Sequence, residues 1–535
     1  MANIQQVDAL IVGAGFSGMY ALYRLRNLGV SVQALERADD VGGTWYWNRY
    51  PGARCDVESM QYSYSFDTSL QNEWHWPEKF SAQPDILRYA KHVAERFDLK
   101  RDIQFGTTVR SAAYDEDSAR WVVDTSNNDR WTCTFLIMAT GCISTAQTPD
   151  IPGLDDYAGN TYHTGDWPHQ TVDFKGQKVG VIGTGSSGIQ AIPVIAQEAS
   201  SLTVFQRTAN YSLPARNFPM SPAYESEWKD DYPARRMEMR YTSQGALKDL
   251  NDEPALDVSA ERRAEVYEAR WASGGSTLLG AFNNLLTDSA ANETAAEFVR
   301  SKIRTIVKDK RTAALLCPDD HPIGTKRICI DSGYYETFNC EHVELVDIKN
   351  EPINRFTRSG LIVGERTFEF DSVVFATGFD AMTGTLFRMD VRGRRDEALK
   401  DKWSAGPVTY LGLMTADFPN LFLVTGPGSP SVKGNMLNSL EQHVDLVSET
   451  IAYMRQNNLK TLEPTTLAET EWGETVQEVA HKTLFPQANS WYMGANIPGK
   501  PRLFMPYIGG VGTYRRICED VVSDGYRGFV FDRSQ

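Results

Sequence analysis

The stretch VDALIVGAGFSGMYALYRLRNLGVSVQALER, Val7–Arg37, decides the fold. The apolar run Ala9–Val12 predicts a buried strand. Gly13, Gly15 and Gly18 follow as GxGxxG and open a helix. The first two glycines permit a tight turn and the close approach of a pyrophosphate, and the third lets the helix pack on the strand. Leu22, Leu25 and Leu28 are expected on the packing side of that helix. A second strand then ends at Glu36, an acid placed to accept from a ribose hydroxyl. GxGxxG alone is weak; strand, glycines, helix, strand and acid together specify a dinucleotide-binding unit.

The same grammar returns in KVGVIGTGSSGIQAIPVIAQEASSLTVFQRT, Lys178–Thr208. Gly183, Gly185 and Gly188 repeat the glycine spacing, and Thr184, Ser186, Ser187 and Gln190 belong to the same turn and helix start. Where the first unit has Glu36, the second has Gln206-Arg207-Thr208. A carboxylate there would repel a ribose 2′-phosphate, whereas arginine can pair with it. The first site therefore suits FAD or NAD, and the second suits NADPH.

Two further apolar runs end in glycine turns, FLIMATG (Phe135–Gly141) and DSVVFATGFD (Asp371–Asp380). Both read as chain crossings between two dinucleotide-binding domains. The expected organisation is α/β, with two Rossmann-like domains and a helical insertion. The FAD half is discontinuous, 1–142 and 380–535. The NADP half is 143–213 and 322–379. The insertion is 214–321, where charges alternate with apolar residues at helical spacing. Its stripe of Phe298, Ile303 and Ile306 reads as packing.

The chain has 535 residues, 41% apolar, with a formal net charge of −15. That length exceeds one core, and the acidity argues against nucleic acid or an anionic membrane surface as partner. No run approaches the roughly 18–20 apolar residues of a membrane span. VDALIVGAG begins so early that no cleavable signal peptide is expected, and a cytoplasmic protein follows. The seven cysteines form no CxxC pair. Neither a dithiol redox centre nor a thiolate metal site is expected, and no metal is assigned.

Three segments carry the chemistry. GGTWYWNRYPGARCD, Gly42–Asp56, reads as an ordered loop rather than a helix. Trp45 and Trp47 are either core aromatics or a cover for an isoalloxazine ring. Arg54 and Asp56 close the segment. GTKRICIDSGYYETFN, Gly324–Asn339, carries Lys326 and Arg327, read either as a surface pair or as two cations facing the interdomain cleft. YAGNTYHTGDWPH, Tyr157–His169, lies between the two units, where a plain linker would suffice.

At this point the chain resembles the type I Baeyer–Villiger monooxygenases, most closely the phenylacetone and steroid monooxygenase branch. That family's linker has the form FxGxxxHxxxW[P/D]. Tyr157, Gly159, His163, Trp167 and Pro168 match it, with Tyr in place of the opening Phe. A second pattern, [A/G]GxWxxxx[F/Y]P[G/M]xxxD, is met by Gly42, Gly43, Trp45, Tyr50, Pro51, Gly52 and Asp56. Stretches such as RYPGARCDVES, GPGSPSVKGNML and GANIPGKPR carry the closeness to the branch.

The resemblance implies oxidation of ketones to esters or lactones by FAD, NADPH and molecular oxygen through a flavin peroxide, with sulfoxidation as a side activity. Aryl, cyclic or steroid-like ketones are implied, with the enzyme a monomer. It implies that Arg327 holds the oxygen anion and that Asp56 positions Arg327. Ser17, Glu36, Thr44, Trp45, Tyr46, Trp47, Tyr62, Val109 and Met436 match flavin-contacting positions. Arg207, Thr208 and Lys326 would hold the 2′-phosphate, and Trp491 a mobile loop over the nucleotide. Ser431, Val432, Lys433 and Gly434 would line the ketone pocket; Lys433 and Gly434 are polar or small where apolar residues are expected. His163 and Trp167 read as hinge and lock rather than general base. Two readings compete. A nitrogen- or sulfur-oxygenating flavoprotein would not need the Asp56–Arg327 pair, and a non-catalytic NADPH-binding sensor would be expected to lose it.

Overall fold

The computed structural model of the protein describes residues 4–533. Its first sheet has eight strands. Ile4–Val12 lies in the middle, parallel to Val32–Leu35 on one side and Arg130–Met138 on the other. Ala9, Leu10 and Ile11 are completely buried, as a strand covered on both faces requires. The antiparallel strands Arg120–Thr125 and Val109–Asp115 extend the sheet. Leu421–Leu423 then returns from the far end of the chain to pair with Arg130–Met138, and Asp390–Arg392 pairs with Val109–Asp115. Sequence-distant segments thus close one sheet.

The helix Phe16–Asn27 buries Met19, Leu22 and Leu25 against this sheet. Leu28 departs from expectation. The helix ends at Asn27 and the chain turns at Gly29, φ +66°, which leaves Leu28 41% exposed. The segment after Gly42 and Gly43 also differs from a pure loop. Thr44–Trp47 forms one helical turn, because the two glycines reverse the chain and Trp45 and Tyr46 then drop into the core.

The second sheet has five parallel strands in the order Val343–Asp347, Ser201–Gln206, Lys178–Ile182, Ser372–Phe375 and Asn160–His163. Its edge strand comes from the segment between the two units. Tyr157–His169 therefore contributes the strand Asn160–His163 to a sheet and is not a plain tether. The stretches 142–147 and 378–382 run side by side between the sheets. Gln147 N–H donates to Gly378 O at 2.9 Å, Asp380 N–H to Thr145 O at 2.9 Å and Met382 N–H to Cys142 O at 2.8 Å.

The helical region is continuous in sequence but shared in space. Pro222–Lys229 and Tyr232–Met239 send Trp228 and Tyr232 into the first core. Ala260–Ser273, Ser289–Ile306 and Lys310–Leu316 pack Tyr267, Ile303 and Leu316 on the second, with Phe298 and Ile306 half-buried beside them.

Candidate active site

Each Rossmann helix presents a bare N-terminus. Phe16–Asn27 starts after Gly15 and Ser186–Glu198 after Gly185; neither has a side-chain cap or an acid in its first turn. Asp67, Ser221, Ser259, Asp288 and Thr465 cap other helices, although Tyr232–Met239 and Val511–Ser523 also start bare. Uncapped N–H groups at a positive dipole end are a site for an anion. A Cβ on Gly18 would lie 1.9 Å from Gly13 O, so only glycine lets this helix close on its strand. A Cβ on Gly185 would meet nothing within 4 Å, which is the open space a pyrophosphate needs. Ser17, Ser186 and Ser187 sit in the two first turns.

Glu36 is buried just beyond its strand. Its carboxylate accepts from Ala14 N–H at 2.6 Å and Ala38 N–H at 2.8 Å, which leaves lone pairs for ribose hydroxyls. At the second unit Arg207 is exposed, and Thr208 O accepts from the Thr184 hydroxyl at 3.0 Å. Lys326 lies close enough to Arg207 to feel its charge; burial, then Arg207 and Lys349, lower its pKa, while Asp320 at 3.3 Å opposes this. These residues fit a 2′-phosphate: two cations, one of them ion-paired to Asp320.

Asp56 and Arg327 meet across the cleft. Arg327 donates from Nε to Asp56 Oδ2 at 3.0 Å and from Nη2 to Asp56 Oδ1 at 2.5 Å. Its Nη1 donates to Val432 O at 3.2 Å. Asp56 ends the glycine–tryptophan segment of the first half, and Arg327 precedes the strand Cys329–Asp331. The charge of Asp56 raises the Arg327 pKa further above its ordinary value, against the opposing effect of burial. The guanidinium is permanently charged and aimed by its partner.

Two assigned cofactor residues have other work. Arg54 is ion-paired with Glu78 and also donates to Phe80 O, so its guanidinium is committed within the first half. Gln190 is a strut between halves. Its amide donates to Arg54 O at 3.1 Å, and its Oε1 accepts from the Tyr50 hydroxyl at 2.8 Å. A Cβ on Gly52 would lie 2.3 Å from Gln190 O, so the backbones touch there. Val109 packs its side chain in the first sheet's core. Trp45 donates to the Tyr62 hydroxyl at 3.2 Å, and Arg37 covers Trp47 at 4.1 Å from the ring centre.

The segment between the units is hydrogen-bonded to both halves. His163 is buried; its Nδ1 accepts from Gly165 N–H at 2.9 Å, and Nε2 lies 3.3 Å from both Gln147 O and Thr377 Oγ1. An Nδ1 that accepts a backbone N–H implies the proton on Nε2. Burial lowers the pKa and favours this neutral form. Tyr157 donates to Phe370 O at 2.9 Å, and a Cβ on Gly159 would clash with Asp371 O at 2.7 Å. Trp167 N–H donates to Trp47 O at 3.2 Å, tying this segment to the first half, with Pro168 directly after it.

The pocket loop is only partly as expected. Val432 gives its carbonyl to Arg327, and Lys433 stands over Phe485 and Tyr492. Ser431 is fully buried with its hydroxyl 3.0 Å from Cys142 Sγ, which takes it away from the cleft. A Cβ on Gly434 would lie 2.7 Å from Val511 Cγ2, so this residue allows close packing rather than a wider pocket. Trp491 is half-buried and packs on Tyr492, ring centres 4.3 Å apart, in a cluster with Met436. Lys500 holds the same loop to the second crossing through Asp380 Oδ1 and Ala381 O, both at 2.7 Å. Sequence reading missed Lys500, Gln147 and Thr377. The two glycine turns marked the crossings, but nothing in the sequence showed that the crossings pair.

Two dinucleotide ends converging on an arginine–carboxylate pair define a two-nucleotide flavoprotein oxygenase. The family model described as flavin-binding monooxygenase-like matches residues 6–218. A solved steroid monooxygenase bound to NADP is 49% identical, covers 99% of this chain and 100% of that one, and superposes with a TM-score of 0.95. The Baeyer–Villiger monooxygenase of Pseudooceanicola batsensis is 41% identical over 98% of this chain and 96% of its own. Phenazine N-monooxygenase PhzNO1 of Lysobacter antibioticus is 40% identical over 98% of this chain and 96% of its own. The chain belongs to the Baeyer–Villiger monooxygenases.

Proposed function

We propose that this protein inserts one oxygen atom between the carbonyl carbon and a neighbouring carbon of a ketone. Ketone, O2, NADPH and a proton give an ester or lactone, NADP+ and water. The observation that carries this is the bidentate Asp56–Arg327 pair. Arginine has five N–H donors and cannot give up its proton in a protein. Two are committed to Asp56 and one to Val432 O, which leaves two for an oxygen that becomes negative in the reaction. Such preorganised donors act where charge develops. FAD, reduced by NADPH, supplies the activation of oxygen when bound. Gly13, Gly15, Gly18 and Glu36 would hold FAD; Gly183, Gly185, Gly188, Arg207, Thr208 and Lys326 would hold NADPH. Trp491 and its loop would keep water from the cleft.

Residues 1–142 and 380–535 serve the flavin, 143–213 and 322–379 the nicotinamide nucleotide, and 214–321 spans both. The partners are a small ketone and oxygen, acting on a monomer in the cytoplasm. All seven cysteines being free supports a reducing compartment. No helix of the described residues is long and apolar enough to cross a membrane. The relative named a phenazine N-monooxygenase favours a second activity, oxygenation of nitrogen. The test is mass spectrometry of products from the FAD-loaded protein with NADPH, air and aryl, cyclic and steroid ketones, with sulfides and amines alongside. A product one oxygen heavier from a ketone supports the reading. NADPH consumption with hydrogen peroxide and unchanged ketones across the panel overturns it.

A further inference from the structure

Lys433 ends the short turn Ser431–Lys433, directly after the carbonyl that holds Arg327. Its Nζ lies 3.9 Å from the ring centre of Phe485 and 4.4 Å from that of Tyr492. Among the described residues, the charges acting on it are both positive, Arg327 and Lys248. The carboxylate of this site, Asp56, spends both oxygens on Arg327. Lys433 is thus an amine seated over aromatic rings, subject to the charge of two cations and without an ion-pair partner among the described residues. Burial and these two charges work against its protonation. Aromatic faces attract the ammonium but do not neutralise it. An apolar side chain would fill the same place without this cost. An anion arriving with the ligand would offset this cost.

We infer that Lys433 recognises a carboxylate carried by the ketone, so that the preferred substrates are keto acids. The inference rests on the oxygenation reading above and names its substrate class. Phe485 and Tyr492 are buried and form the floor under the amine, and the amine suits one compact anion. In the reading above, the nucleotide's 2′-phosphate would have its own cations at Arg207 and Lys326. Lys433 acts on selectivity, whereas Arg327 acts on the reacting oxygen.

The test compares 5-oxohexanoate with its methyl ester and with 2-hexanone, which share a methyl ketone and differ in charge. The wild-type holoenzyme is expected to favour the acid through KM. Lys433→Leu is expected to lose about 10–100-fold of kcat/KM on the acid, the scale of a charge-assisted hydrogen bond, and to gain on the ester. Lys433→Arg is expected to keep the preference for the acid. FAD content and the rate of flavin reduction by NADPH show that each variant is folded. Oxidation of the neutral ketones with no preference for the acid, unchanged in Lys433→Leu, overturns the inference and leaves the oxygenation reading intact. A weaker NADP+ affinity in Lys433→Leu with an unchanged acid-to-ester ratio also overturns it, because the anion is then the cofactor's phosphate. Failure of all three ketones together with the wider panel overturns both readings.

Discussion

The imidazole Nε2 of His163 lies 3.3 Å from the carbonyl oxygen of Gln147, on the first of the two paired chain crossings. The same nitrogen reaches Thr377 on the second crossing, and the Thr377 hydroxyl donates to Gln147 O at 2.5 Å. One neutral ring therefore binds both segments about which the halves of the molecule would move. His163→Ala strips partners from buried groups, at about 1–3 kcal/mol for each group left unsatisfied. The expected result is a lower unfolding midpoint and more hydrogen peroxide per NADPH consumed. The pH–rate profile should keep both limbs; loss of a limb would make His163 an acid–base catalyst instead.

Arg327→Ala and Arg327→Lys should each lower ester formation by about 10²–10³-fold, as loss of an oxyanion donor does elsewhere. Lysine cannot replace a fork that binds Asp56 through two nitrogens. Product mass spectrometry, set against NADPH and peroxide assays, separates lost oxygenation from lost reduction.

Arg207→Glu places a carboxylate where the second unit has a cation. The KM for NADPH should rise by about tenfold or more while that for NADH changes little, since charge pairing of this kind is worth about 1.5–3 kcal/mol. Steady-state kinetics with both nucleotides decide it. Equal effects on the two would place Arg207 away from the 2′-phosphate.

Lys500→Ala removes the tie between the Trp491 loop and Asp380, an ion pair whose lysine is 11% exposed. The loop should open more often, raising peroxide release severalfold with flavin reduction unchanged. Stopped-flow reduction alongside a peroxide assay gives both numbers; unchanged coupling would remove this loop from the cover of the cleft.

His443 is fully buried, accepts from Thr425 N–H at 2.9 Å on Nδ1, and has its pKa pushed down to about 3 by burial and by Arg515. Its unfolded value is near 6.5. The unfolded chain therefore takes up the proton first. The stability this group contributes is complete above about pH 6.5 and falls as pH drops toward 3, by up to about 1.4 kcal/mol per unit. Unfolding of wild type and His443→Asn between pH 7 and 4 should show the steeper slope in wild type, and parallel curves would refute the shift.

Glycine spacing, the buried strand at Ala9–Val12 and the Glu36/Arg207 contrast are local, and the chain alone determined them. Each answers a backbone or charge requirement met within one strand–turn–helix unit. Arg327 was legible as a candidate cleft cation, but its pairing with Asp56 only through the resemblance. The two residues are 271 positions apart, and no periodicity joins them. Tertiary structure alone decided that the segment around His163 is a sheet edge, because a strand's partner, Ser372–Phe375, lies far along the chain. It likewise turned Arg54 toward Glu78, made Gln190 a strut and buried Ser431. A side chain's residue type states what it can bond, but the neighbour it bonds is set by packing of distant segments. Lys433 shows this most sharply. Its charge is in the sequence, whereas its seat over Phe485 and Tyr492 without an ion-pair partner among the described residues exists only once the chain is folded.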